Sequence, residues 1–127
     1  MSEPVWLTVD MVIAIHETQL AKHGGPRSIR DMGLLQEALN SSRNKFVYGE
    51  TDLAALAAAY GFGVARNHPF IDGNKRTSLM VIYTFLGIND VDLIVPEAEF
   101  ATIILGLAAG EISEESLARW IRDNWPK

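Results

Sequence analysis

The sequence predicts an all-α fold, and three features of its patterning lead there. Two stretches, Leu53 to Ala65 and Thr77 to Asn89, carry no charged residue and are apolar on every side, the pattern of helices that are buried. Elsewhere apolar residues recur at three- and four-residue spacing. No segment alternates apolar and polar residues as a half-buried strand would. The expected arrangement is six helices, with the third and fourth as a central buried hairpin and the others wrapped around it.

The elements follow in order. Thr8 precedes a pattern that puts Val9, Val12, Ile13, His16 and Leu20 on one face, and "HGGP" at 23 to 26 ends this first helix. Asp31 can cap a second helix through "MGLLQEALNSSRNK", with Leu34, Leu35, Ala38 and Leu39 inward, before "VYGET" breaks the pattern. The third helix opens at Thr51 or Asp52, and the fourth begins near Gly73 or Asn74. "DVDLIV" is a connector, a loop or a poor strand. Pro96 suits the first turn of a fifth helix, 96 to 109, and Ser113 with Glu114 and Glu115 behind it opens a sixth, 114 to 124. Gly61 and Gly63 would each cost the third helix roughly 1 kcal/mol against Ala. They mark either close helix packing or a frayed end.

At 127 residues the chain is expected to form a single domain over 1–127 with one core. It has no Cys, which excludes a disulfide framework, thiol chemistry and Cys-ligated zinc. A net charge of -5 argues against a large nucleic-acid footprint. No apolar run approaches the roughly 20 residues that span a bilayer, and the amino terminus lacks a basic region followed by an apolar one. A cytoplasmic protein without membrane contact is the expectation.

Against this background "ARNHPFIDGNKRTSL", residues 65 to 79, is crowded with chemistry. The first amides of a helix lack intrahelical partners and the dipole favours an anion there. Lys75 and Arg76 add two cations at that end of the fourth helix, where they face the dipole unfavourably. Gly73 leaves room for a phosphate against backbone amides, and Asn74 can donate from its side chain. Asp72 can hold a divalent cation, since Mg2+ is bound through one or two carboxylates plus substrate phosphates; it can equally cap the helix. A free imidazole titrates at about 6.5, so a His at this place, His68, can take a proton from an attacking hydroxyl, or can simply be a loop residue bonded to backbone. A base, a metal carboxylate and an anion hole together describe a phosphoryl or nucleotidyl transfer site. The upstream Gly and the strand of a Walker loop are missing, and no H-E-x-x-H is present. His16 reads as a core histidine.

"HPFIDGNKR" resembles the signature of the Fic/Doc family, H-x-F-x-D/E-G-N-x-R, in the form of its Doc (death on curing) branch. The likeness continues through "HGGPRSIRDMGLLQEAL" and "LAAGEISEESLARWIRDN", from about Leu7 to Trp125. The resemblance implies a compact six-helix domain. It implies His68 as the general base, Phe70 as the apolar anchor of the loop, Asp72 as the Mg2+ ligand, and Gly73, Asn74, Lys75 and Arg76 as the binders of ATP phosphates.

The sequence departs from the Fic pattern G-N-G-R-x-x-R at Lys75, which replaces a Gly, and at Leu79, where a second Arg is expected. Both departures favour the Doc side. By resemblance the activity is a kinase that transfers the γ-phosphoryl group to a hydroxyl of a translation factor such as elongation factor Tu. The alternatives are Fic-type AMP transfer and a silent module that binds phosphate or an antitoxin. The family also implies a Phd-type antitoxin whose tail folds on the toxin. No Glu here is followed by Gly or Asn, so the inhibitory S/T-x-x-x-E-G/N helix of Fic proteins is missing. A groove lined by the exposed apolar residues of the first and sixth helices is the expected antitoxin site. Roles for Arg30 and Arg66 stay open.

Overall fold

The computed structural model describes residues 3–25 and 29–126. Among the described residues there are six helices: α1 (Val9–His23), α2 (Met32–Val47), α3 (Leu53–Asn67), α4 (Asn74–Ile88), α5 (Glu97–Ala108) and α6 (Glu114–Asp123). The connector before α5 contains no strand. Extended pairing among the described residues is limited to an isolated antiparallel bridge between Ile29 and Phe70. Pro26, the last letter of "HGGP", lies outside the described residues.

The caps explain where four helices begin. Side chains of Thr8, Asp31, Asp52 and Ser113 accept from the amides of Met11, Leu34, Ala54 and Ser116, each satisfying a donor with no intrahelical partner. Pro96 stands just before α5 rather than within its first turn, and α2 continues two residues past Lys45 to Val47. α4 is the exception at the site: it starts behind Gly73, at φ 80°, with no side-chain cap bond.

The predicted hairpin is the centre of the fold. α3 packs against α2, α4, α5 and α6, and α4 packs against α1, α3 and α5. Leu56, Tyr60, Val64, Val81, Ile82 and Phe85 are wholly buried between them. The glycines of α3 mark close packing, not fraying. A Cβ at Gly61 would fall 2.5 Å from a methyl of Ile82, and one at Gly63 would fall 2.8 Å from the Ala38 backbone. Gly61 therefore lets α4 approach and Gly63 lets α2 approach. Ser78 donates to the Gly61 carbonyl at 2.6 Å, fixing the register of the hairpin toward the end that carries the 68–73 loop.

The expected groove, lined by exposed apolar residues of α1 and α6, is not formed among the described residues. The two helices do not touch, and the apolar face of α6, Leu117, Ala118 and Ile121, is spent in the core. The large hydrophobic side chains that stand exposed among the described residues are Val5, Met32, Val47, Tyr48, Ile71, Ile94 and Leu105, on other elements.

Candidate functional site

The loop from His68 to Gly73 crosses between the two central helices and is tied down along its length. Phe70 is buried, at 1% exposed, as an apolar anchor of the loop would be. Its ring lies on the imidazole of His16 with centroids 3.8 Å apart and planes 7° from parallel. The Asn74 side chain closes the loop from below: its Oδ1 accepts from the Phe70 amide at 3.0 Å and its Nδ2 donates to the Phe70 carbonyl at 2.9 Å. That leaves one Asn74 N–H bond for a ligand.

His68 caps α3 in the left-handed conformation, φ 49° and ψ 57°. For a residue with a side chain this backbone costs about 1–2 kcal/mol, so the surroundings must hold it. Arg30 supplies part of that hold. Its Nε donates to the His68 carbonyl at 2.7 Å and its Nη2 to the Asn67 carbonyl at 2.8 Å. The imidazole of His68 itself is exposed at the mouth of a cavity.

That cavity, of about 250 Å³, is lined by His68, Ile71, Asp72, Gly73, Asn74, Lys75 and Arg76. Every residue singled out for chemistry thus faces one space, with Phe70 beneath it. Asp72 does not cap α4: its Oδ1 accepts from the amide of Gly73 at 2.8 Å, and Gly73 occupies the cap position. Its Oδ2 lies 2.7 Å from where a Cβ on Gly25 would stand, so the carboxylate rests against that glycine. Behind Gly73 the first amides of α4 have no side-chain partner. The Nε of Arg76 is buried with no hydrogen-bond partner, as is the hydroxyl of Thr77 one residue on. An unpaired guanidinium nitrogen beside a helix start is suited to an anion.

Among the described residues no three His, Cys, Asp or Glu side chains gather as a metal cage. A divalent cation here would rest on Asp72 and on oxygens the ligand itself brings. This is the habit of Mg2+ at phosphates and not of zinc or calcium.

A second, apolar cavity of about 210 Å³ adjoins the first through the shared residues Lys75 and Arg76, and is completed by Leu79, Ala101, Ile104 and Leu105. Leu79 thus presents a hydrocarbon wall beside Lys75 and Arg76. Arg66 turns away from the site: its guanidinium sits 5.5 Å over the Phe62 ring and beside Gly110, an exposed helix-end cation.

Sequence reading missed one contributor, His16, and left a second, Arg30, open. His16 is a core histidine by burial, at 1% exposure, yet its Nε2–H donates to the Asp72 carbonyl at 2.7 Å. A carbonyl can only accept, so the partner fixes the tautomer with the proton on Nε2. Arg30 reaches residues 37 and 38 positions away. The periodicity that placed His16 inward was a usable signal for burial; nothing in the sequence pattern announces either contact.

A family model described as the Fic/DOC family matches residues 6–86. Over 117 residues the chain is 33% identical to the protein named protein kinase Doc of Escherichia phage P1, covering 91% of this chain and 92% of that one. It is 44% identical over 73 residues to toxin Doc of Mycolicibacterium smegmatis, covering 55% of each.

Proposed function

The chain belongs to the Fic/DOC family, and we propose that within it this protein acts as a Doc-type toxin, an ATP-dependent kinase that phosphorylates a protein hydroxyl. The observation that carries the reading is the convergence, in one cavity, of His68, Asp72 and the Gly73–Arg76 start of α4 with its unpartnered Arg76 Nε.

The chemistry follows from those groups. His68, exposed at the cavity mouth, accepts the proton of the target hydroxyl as its oxygen attacks the γ-phosphorus, and ADP leaves. Phosphoryl transfer asks little covalent work of a protein beyond positioning and charge stabilisation. Lys75, Arg76 and the amides behind Gly73 supply that charge. Bound through Asp72 and the phosphates, Mg2+ would neutralise phosphate oxygens. Lys75 and Leu79 favour γ-transfer over Fic-type AMP transfer. Lys75 adds bulk and charge where Fic proteins have glycine, and Leu79 lines an apolar wall where they have a second arginine to clamp distal phosphates.

A translation factor of the elongation factor Tu type is the proposed target, and arrest of translation in the cytoplasm the proposed outcome. A separate Phd-type antitoxin is the proposed restraint, since no Glu in this chain is followed by Gly or Asn. The test is to incubate the protein and elongation factor Tu with ATP labelled at the α- or the γ-phosphorus, beside His68→Ala. Label from γ alone that is lost in His68→Ala is expected. Label from α alone would replace the kinase with AMP transfer, and label from neither, with tight antitoxin binding, would leave a binding module.

A further inference from the structure

We infer that Arg30 is a positioning residue for His68, holding the reactive loop by its backbone and not by its side chains. This rests on reading His68 as the base. Three consecutive carbonyls at the end of α3 point toward the segment before α2, and Arg30 with its neighbour takes all three. The guanidinium donates through its side edge, Nε to the His68 carbonyl and Nη2 to the Asn67 carbonyl, at 2.7 and 2.8 Å. The amides of Arg30 and Asp31 both donate to the Pro69 carbonyl, at 2.7 and 3.1 Å. Ile29 continues the clamp by bridging to Phe70.

Asn67 is the last residue of α3 and His68 its cap, so their carbonyls lack intrahelical donors, and a cation there complements the dipole; Pro69 follows directly. The rigid fork of a guanidinium matches two successive carbonyls as a lysine ammonium does not. Holding both fixes the peptide on each side of the His68 Cα, and so the left-handed backbone that aims the imidazole into the cavity. The side chain of Arg30 is exposed and its guanidinium donates to these two carbonyls, so its contribution falls on the loop and not on the core.

The test uses the whole protein as wild type, Arg30→Ala and Arg30→Lys. The Cε1–H resonance of His68, assigned with His68→Ala, is followed by NMR through a pH titration. Label transfer from ATP is measured in parallel. Arg30→Ala is expected to move that resonance and its titration midpoint and to lower kcat on the order of tenfold with the KM for ATP little changed, as misplacement of a reacting group does. Added guanidinium ion should restore part of the rate in Arg30→Ala, and Arg30→Lys should lie between the two. A His68 resonance and midpoint in Arg30→Ala equal to wild type would overturn the assignment. Should Arg30→Ala fail to fold, the same comparison in Arg30→Lys decides. If the wild type transfers no label, the kinase reading falls while the His68 resonance still decides the role of Arg30.

Discussion

His16 lies under the 68–73 loop with its ring flat on Phe70, and its Nε2–H meets the carbonyl of Asp72 at 2.7 Å. One buried side chain therefore supports both the anchor of the loop and the backbone of the residue proposed to hold Mg2+. Replacing it with leucine keeps the volume and the apolar contact but leaves a carbonyl without its donor. The expected cost is about 1–3 kcal/mol of stability, read from urea unfolding, with a loss of label transfer larger than stability alone accounts for. His16→Leu with wild-type transfer would remove His16 from the support of the site.

Gly25 and Asp72 face each other across the mouth of the loop. A methyl at Gly25, which has φ 118°, would stand 2.7 Å from Asp72 Oδ2, so Gly25→Ala must push the carboxylate aside or shift its own strained backbone. The expected result is weaker Mg2+-dependent nucleotide binding. Calorimetric titration with and without Mg2+ checks it, and an unaltered Mg2+ dependence would contradict it.

Arg76 offers the fold little through its buried, unpartnered Nε. Arg76→Ala is expected to leave the thermal midpoint near wild type while nucleotide affinity drops about ten- to a hundredfold, the worth of a hydrogen bond between charged groups. Equal affinities in the two proteins would dissolve the cradle.

Gly63 separates two predictors that are usually in step. Helix propensity alone says that Gly63→Ala should stabilise α3 by up to about 1 kcal/mol. The added Cβ would, however, sit 2.8 Å from the Ala38 backbone, which cannot yield as a side-chain tip can. A net destabilisation of about 1–3 kcal/mol is expected from chemical denaturation.

Tyr60 sets a pH dependence remote from the site. Burial pushes its phenol above the ordinary tyrosine range, opposed in part by the Leu7 amide, which donates to its oxygen at 3.1 Å, and by Arg43. A group whose folded pKa is raised contributes fully below the unfolded value, near 10, and loses that contribution as pH climbs through the folded one. Stability should therefore decline above about pH 10. In Tyr60→Phe, less stable at neutral pH because the Leu7 amide loses its acceptor, that alkaline decline should be shallower.

Much of this was legible in the order of residues. Charge-free apolar runs of 13 residues read as helices hidden from water, so the central hairpin follows from composition and period, whereas the anchoring Phe70 was implied by the family resemblance. The caps Thr8, Asp31, Asp52 and Ser113 could be read because a cap acts on amides two or three residues away. That His68, Asp72 and Gly73 to Arg76 line one cavity could be anticipated, since they lie within one short segment.

What the tertiary structure alone decided are relations between segments far apart in sequence. Whether Gly61 and Gly63 frayed or packed depended on Ile82 and Ala38, and whether Asp72 capped α4 depended on Gly73 taking that place. The grip of Arg30 on the His68 carbonyl and of His16 on the Asp72 carbonyl joins residues 38 and 56 positions apart. Periodicity tells which face of a helix turns inward. It carries no record of which carbonyl waits there, because that is set by how whole helices dock, and docking is where the loop acquires its shape.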